Sequence, residues 1–318
     1  MIKLHISVWL NHPTVEYMRF SEQNREKLQK LLPEVEISLH KSHTTFKESL
    51  EHADIAFIWV FNQKWFALAK KLKWIALPSA GLDHIHLDLP EGIILTNSSF
   101  HGEFIAETVL GAMLGFSRGL FWASQNQKDY VWPREEIVTQ ILPLKGSHLV
   151  ILGFGNIGLR IARLAKPFGV RITGIKRTLI DLPDFLNKDE DKIITKEDMD
   201  KVLVSADHFV VVLPRDKSTD NIINKERLNL LPKHACLYNV GRGNAIEENA
   251  LAETLKNNQI KGAYLDVFKE EPLPKDSPLR NCSTNLLMTP HSSAVSPNFF
   301  DRFIDEFVLR YKEWIKNT

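Results

Sequence analysis

Two cysteines in 318 residues, Cys236 and Cys282, are too few for a disulfide framework. Their scarcity points to a reducing, intracellular setting, the cytoplasm. Both fall in strand-like stretches, HACLYNV and the run before NLLMTP. Net charge is also missing: forty basic residues face thirty-nine acidic ones, leaving +1. No global field recruits nucleic acid or an anionic membrane, so recognition must be local. Low-complexity tracts are absent, which excludes extended disorder. Long uninterrupted apolar runs are lacking as well. The most lipid-like window, FIAETVLGAMLGFSRGLFWA, contains Glu107 and Arg118, both costly in hydrocarbon. It reads as part of a buried helix from His101 to Ser124. The opening MIKLHISVWLNHP is too short and interrupted for a leader and reads as a first β-strand.

What is present is a globular composition, 44% hydrophobic, over a length that suits two domains better than one core. KLHISVWL, the Ser21-started helical run SEQNREKLQKLL, VEISLH, a charged stretch, ADIAFIWV and LKWIALPSA alternate strand and helix patterns. That alternation argues for parallel β-α-β units and a small doubly wound domain. After a polar segment, QKDYVWPREE, the pattern restarts with SHLVILGFG, a helix from GNIGLRIARLAKPF, the strand RITGI, a helix TKEDMDKVLVSA capped by Thr195, and DHFVVVLP. HACLYNV, KGAYLDVF and NLLMTP follow as strands. In the closing run, Phe299, Phe303, Phe307 and Trp314 share one helical face, and the sequence leaves open which domain they dock on. The fold class is α/β, with two doubly wound parallel sheets.

Within GFGNIG, Gly153, Gly155 and Gly158 follow an apolar strand and open a helix. The first permits a tight turn, the second lets backbone reach a pyrophosphate, and the third lets helix and strand pack closely. The pyrophosphate would sit at the helix N-terminus. Some twenty residues on, where an NAD site usually presents an acid, the chain has Lys176, Arg177 and Thr178. Two cations and a hydroxyl suit a 2′-phosphate, so NADP(H) is expected over NAD(H). A solvated basic turn on an NAD(H) protein is the competing reading.

Strand ends supply the chemistry, because ligands of open α/β sheets bind beyond the carboxyl edge. Arg242, between Gly241 and Gly243, ends one strand; Asp266 lies near the end of the next; His291 follows the last. Glu271 lies between the last two strands. Hydride delivered to a carbonyl carbon leaves an alkoxide that needs a proton, and histidine is the side chain closest to neutrality. His291 is the expected proton donor, Glu271 its orienting carboxylate, and Arg242 the anchor of a substrate carboxylate.

The run NVGRGNAIEENALAETLKNNQIKGAYLDVFKEEPLPKDSPL, then MTPHSSA, with GFGNIG and the earlier SAGLDHI and AET, resembles the D-isomer-specific 2-hydroxyacid dehydrogenases. The resemblance implies that Arg242, Glu271 and His291 form the catalytic set and that Asp266 contacts the nicotinamide side of the cofactor. It implies that Ala80 and Gly81 offer backbone N–H groups to the substrate carboxylate beside Arg242 and His291, and that Thr108 lies by the cofactor. Asn156, Ile157, Pro214 and Thr219 complete the expected cofactor contacts, and no metal is expected. By the same likeness residues 98–291 form the dinucleotide-binding domain. Residues 1–97 with 292–318 form a flavodoxin-like substrate domain, with a cleft between the two, and the protein is a homodimer. The basic ITGIKRT looks like the NADPH-preferring glyoxylate and hydroxypyruvate reductases. TPHSSAVSPN departs from the usual glycine-containing continuation, and Glu271 stands where formate dehydrogenases place glutamine. The chain is also too short for the regulatory domain of many phosphoglycerate dehydrogenases. Trp132 is read as a packing residue. The implied activity is NADPH-dependent reduction of a small 2-oxo acid. The alternatives are an NAD(H)-using D-2-hydroxyacid dehydrogenase and a nucleotide-sensing, corepressor-like binding protein.

Overall fold

The computed structural model describes residues 4–12, 15–83, 85–127, 132–282 and 285–317. His84 of SAGLDHI and residues 128–131 of QKDYVWPREE lie outside the described residues. The chain divides into two compact units, Met1–His101 with Val295–Thr318, and Gly102–Ala294.

In the first unit, β1 (His5–Trp9), α1 (Glu22–Leu31), β2 (Glu36–Leu39), α2 (His43–Ser49), β3 (Ile55–Ile58), β4 (Trp74–Ala76) and β5 (Ile94–Thr96) follow in order. The strands form one parallel sheet in the order β2-β1-β3-β4-β5. Ser21 caps α1 by accepting from the Asn24 N–H, while Asn24 reaches back to the Ser21 N–H, satisfying donors the helix itself cannot. The charged stretch folds as α2, capped by Ser42 and anchored by the buried Phe46. β5 has only three residues, half-buried or exposed, so it carries no apolar run to betray it.

The second unit opens with α3 (His101–Ser117) and α4 (Leu120–Asn126). The single helix expected over 101–124 is therefore two, bent by 66°, because Gly119 adopts φ 66 in the left-handed region and ends the ladder. Ile105, Val109, Ala112, Met113 and Phe116 are buried, and no single helix among the described residues is long and apolar enough to cross a membrane. Then come β6 (His148–Leu152), α5 (Asn156–Ala165), β7 (Arg171–Ile175), β8 (Lys192–Ile194), α6 (Met199–Leu203), β9 (His208–Val211), α7 (Lys225–Leu230), β10 (Cys236–Asn239), α8 (Glu248–Lys256), β11 (Gly262–Leu265) and β12 (Leu286–Met288). The sheet runs β12-β11-β10-β9-β6-β7-β8, parallel throughout. Leu149 and Ile151 enter one core layer and Val150 and Leu152 the other, as a two-residue period requires. The expected helix TKEDMDKVLVSA is α-helical only over α6, preceded by a tight turn at 196–198 whose cap, Thr195, makes no side-chain capping bond. Cys282 ends a tight turn after 278–281 rather than lying in a strand. Trp132 is 89% exposed and packs no core.

The last helix, α9 (Phe299–Asn317), belongs to the first unit. Phe303 and Phe307 meet Phe57 edge-on at 4.9 and 4.5 Å, and Phe307 reaches Trp74 at 4.9 Å. The stripe of phenylalanines thus covers β3 and β4.

His101 and His208 are each only 4% exposed, and burial pushes both down to about 4. The unfolded chain therefore binds protons that the folded chain refuses. Stability is fully present above pH about 6.5 and declines as pH falls toward 4, each histidine costing about 2 kcal/mol by pH 5. Calorimetry between pH 8 and 5 should show Tm falling, with a shallower slope in His208→Gln. A Tm flat across that range would contradict the buried, neutral assignment.

Candidate active site

β6 pairs with β7 on one side and β9 on the other, so the strand order reverses at its carboxyl end. Gly153 lies at this switch point with φ +102, and a Cβ there would overlap the Val212 carbonyl. A Cβ on Gly158 would overlap the Gly153 carbonyl, whereas one on Gly155 would meet nothing within 4 Å. The first and third glycines are thus demanded by packing, and the second faces open space. α5 starts there with no side-chain cap, leaving N–H groups at Asn156, Ile157 and Gly158 and the positive end of the dipole for an anion. These residues fit a dinucleotide pyrophosphate. The Asn156 side chain itself accepts from Arg160 at 3.1 Å.

Gly153 and Phe154 donate to the Ile175 carbonyl, which places the next residues, Lys176, Arg177 and Thr178, immediately beside the glycine turn. Lys176 is half-buried and the other two are exposed. Asp216 is held below the usual carboxylate range by the Ser218 hydroxyl and N–H, and then by the charge of Arg177. Thr219 is buried, and its hydroxyl donates to the Asp216 and Pro214 carbonyls while Asn244 and the Asp216 N–H donate to it. Its hydroxyl is committed to folding the loop that carries Pro214.

Arg242 follows β10 in a turn clamped by Asn239. That side chain, 1% exposed, donates to the Arg242 carbonyl and accepts from the Gly241 N–H. A Cβ on Gly243 would overlap the backbone of Phe268, so the Arg242 turn and the segment leading to Glu271 touch main chain to main chain. Glu271 accepts from the Phe268 N–H at 2.9 Å with one oxygen and faces His291 Nδ1 at 2.8 Å with the other. An ionised carboxylate only accepts, so Nδ1 carries a proton and Nε2 is the atom turned to chemistry. The hydrogen bond to Glu271 raises the His291 pKa against the effect of burial, with Asp266 helping and Arg242 opposing. Burial alone would raise Glu271, but the His291 hydrogen bond, the Phe268 N–H and the charges of His291 and Arg242 bring it below the usual range. Arg242, Glu271 and His291 thus share one electrostatic field.

The Thr108 hydroxyl donates to Phe104 and, at 3.3 Å, to the Ser293 carbonyl, which brings α3 to the His291 segment. Asp266 is 1% exposed and accepts from Thr289, Ser292 and Ser293. In the first unit, Ala80 and Gly81 lie in the loop after β4. The Asn97 side chain donates to the Ala80 carbonyl and Ser79 to that of Gly81. Asn239, Tyr264 and Thr289 were not anticipated. For two of them position is the one signal, since Asn239 sits two residues before Gly-Arg-Gly and Thr289 directly before Pro-His.

A parallel sheet whose glycine turn sits at the switch point and opens a helix with no side-chain cap belongs to the class of dinucleotide-binding α/β domains. Comparison with known proteins narrows that class. The family model described as "D-isomer specific 2-hydroxyacid dehydrogenase, NAD binding domain" matches residues 110–293, and the chain belongs to this family. It is 31% identical over 270 residues to a D-3-phosphoglycerate dehydrogenase of Methanocaldococcus jannaschii, covering 82% of this chain but 49% of that longer relative. It is 28% identical over 275 residues to a hydroxypyruvate reductase of Thermotoga maritima, covering 85% and 81%. Among solved structures, a D-isomer specific 2-hydroxyacid dehydrogenase family protein from Aeromonas salmonicida superposes with a TM-score of 0.80 at 30% identity, covering 99% of this chain and 96% of that one.

Proposed function

We propose that this protein reduces a small 2-oxo acid, of the glyoxylate or hydroxypyruvate type, to the 2-hydroxy acid with NADPH, the D isomer wherever C2 is a stereocentre. The observation that carries the reaction is the His291–Glu271 contact at 2.8 Å within the field of Arg242. When bound, NADPH supplies the hydride. Arg242 holds the substrate carboxylate with its planar fork and polarises the carbonyl. His291, kept protonated by Glu271, delivers the proton from Nε2 to the developing alkoxide. The N–H groups of Asn156, Ile157 and Gly158 bind the pyrophosphate beside the Gly155 backbone, Pro214 and Thr108 flank the cofactor, and Lys176, Arg177 and Thr178 take the 2′-phosphate. Relatives named as hydroxypyruvate and glyoxylate reductases support the substrate class. The same reading makes the protein a cytoplasmic homodimer.

One observation favours an NADH-using enzyme instead. The Asp216 carboxylate, close enough to feel Arg177, would repel a 2′-phosphate. Turnover of glyoxylate and hydroxypyruvate with NADPH and NADH side by side separates the two readings. In the double variant Lys176→Asp, Arg177→Ala, kcat/KM for NADPH should fall about 100-fold, two charge-assisted hydrogen bonds being lost. The value for NADH should barely move. Equal losses with both cofactors, or none, would reject the phosphate assignment.

A further inference from the structure

His291 has φ 51, in the left-handed region that a residue with a Cβ seldom occupies without support from its surroundings. The support comes from the neighbouring strand. The His291 N–H donates to the Asp266 carbonyl at 2.8 Å and to the Thr289 carbonyl at 3.0 Å. The next two N–H groups, of Ser292 and Ser293, donate to the two oxygens of the Asp266 carboxylate at 2.8 and 3.0 Å. The turn is therefore wrapped around a buried carboxylate, and its geometry depends on how that carboxylate is oriented. Thr289 supplies the remaining contact, with Oγ1 at 2.5 Å from Asp266 Oδ1 and 2.7 Å from the Tyr264 hydroxyl. A carboxylate takes only donors, so the Thr289 proton goes to Asp266 and the Tyr264 proton to Thr289.

We propose that Thr289 is a positioning residue for His291. Its hydroxyl, fixed between Tyr264 and Asp266, locks the left-handed turn from which the imidazole reaches Glu271. The inference rests on the reading of His291 as proton donor. The lock joins the ends of β11 and β12, so it spans the two strands between which the active edge must hold its geometry. Burial pushes the Tyr264 hydroxyl up to about 12, which keeps it a donor at every working pH. Most acceptor positions of Asp266 are spent on the turn, so this carboxylate acts on the chemistry through His291. The charged groups facing the imidazole are Glu271, Asp266 and Arg242. A turn that relaxes alters its distance to all three.

Thr289→Val keeps the shape and removes the hydroxyl. It should lower kcat about 10- to 100-fold, the scale of a misplacement near 1 Å, with the KM for NADPH within about twofold. Thr289→Ser should restore most of the activity, and Tyr264→Phe should show a milder loss of the same kind, which covers the case of a poorly folded valine variant. An NMR titration of the His291 ring reads the lock without turnover. Its pKa is raised in the wild type and should fall toward 6.5 in Thr289→Val as Glu271 is lost. An unchanged titration, or failure of serine to rescue, would overturn the proposal. Retained turnover in His291→Asn would instead reject the proton-donor reading and leave the titration to judge the lock alone.

Discussion

Replacing His291 by Asn is expected to lower kcat for 2-oxo acid reduction by about 10²- to 10⁴-fold, the contribution typical of a general acid. The affinity for NADPH should change little. The reason lies in the geometry of one contact. Glu271 accepts from Nδ1 at 2.8 Å, which fixes the tautomer and leaves Nε2 as the only proton the ring can deliver. The side chain is half-exposed, so asparagine loses a proton donor without opening a buried cavity, and Tm should hold. The pH profile follows from the same contact. Reduction needs the protonated imidazole, whose pKa is raised by Glu271, so kcat/KM should stay high through neutrality and fall as pH rises past that raised value. Glu271→Gln should move this alkaline limb to lower pH. Stopped-flow reduction and a cofactor fluorescence titration on the same samples check both statements. A His291→Asn enzyme that lost NADPH binding while keeping its single-turnover rate would make the histidine structural.

Gly243→Ala should be severely damaging. The added Cβ would overlap the backbone of Phe268, and main chain on both sides leaves no flexible side chain to yield. Overpacking of this kind costs about 1–3 kcal/mol and occasionally more. Here the strain also falls where the Arg242 turn meets the segment whose Phe268 N–H holds Glu271. Both stability and turnover should therefore drop, with kcat/KM for the 2-oxo acid falling about 100-fold or more, because a displacement near 1 Å suffices. Gly155→Ala is the control. Its Cβ would meet nothing within 4 Å, so Tm should hold while dinucleotide affinity falls. Thermal denaturation and cofactor titration of the two variants should give opposite patterns. A Gly243→Ala protein with wild-type Tm would show that the two turns are not in contact.

Much of the active edge was legible because its residues sit at strand ends, and strand ends are marked by where apolar runs stop. His291, Arg242 and the glycines of GFGNIG each follow such a run. Others were hidden for physical reasons. β5 and β8 have three residues each and pair on one side only, at sheet edges, so they need little hydrophobic sequence. The break between α3 and α4 turns on the backbone angle of Gly119, within a window whose composition favours helix from end to end. Thr219 was expected at the cofactor, yet its hydroxyl is occupied within its own loop, a commitment that no spacing reveals.

Local pattern alone determined the alternation of strands and helices, the glycine turn and the candidate identity of the acid, its orienting carboxylate and the anchoring cation. Each of these depends on the residue and its near neighbours in the chain. Tertiary structure decided that α9 covers the first sheet, that Asp266 is spent on the His291 turn, and that Tyr264 and Thr289 stand behind it. The last two outcomes depend on the parallel register of β11 with β12, which sets Leu265 opposite Met288. Hydrogen bonds between residues some twenty-five positions apart are fixed by that register, and a one-dimensional pattern holds no record of it.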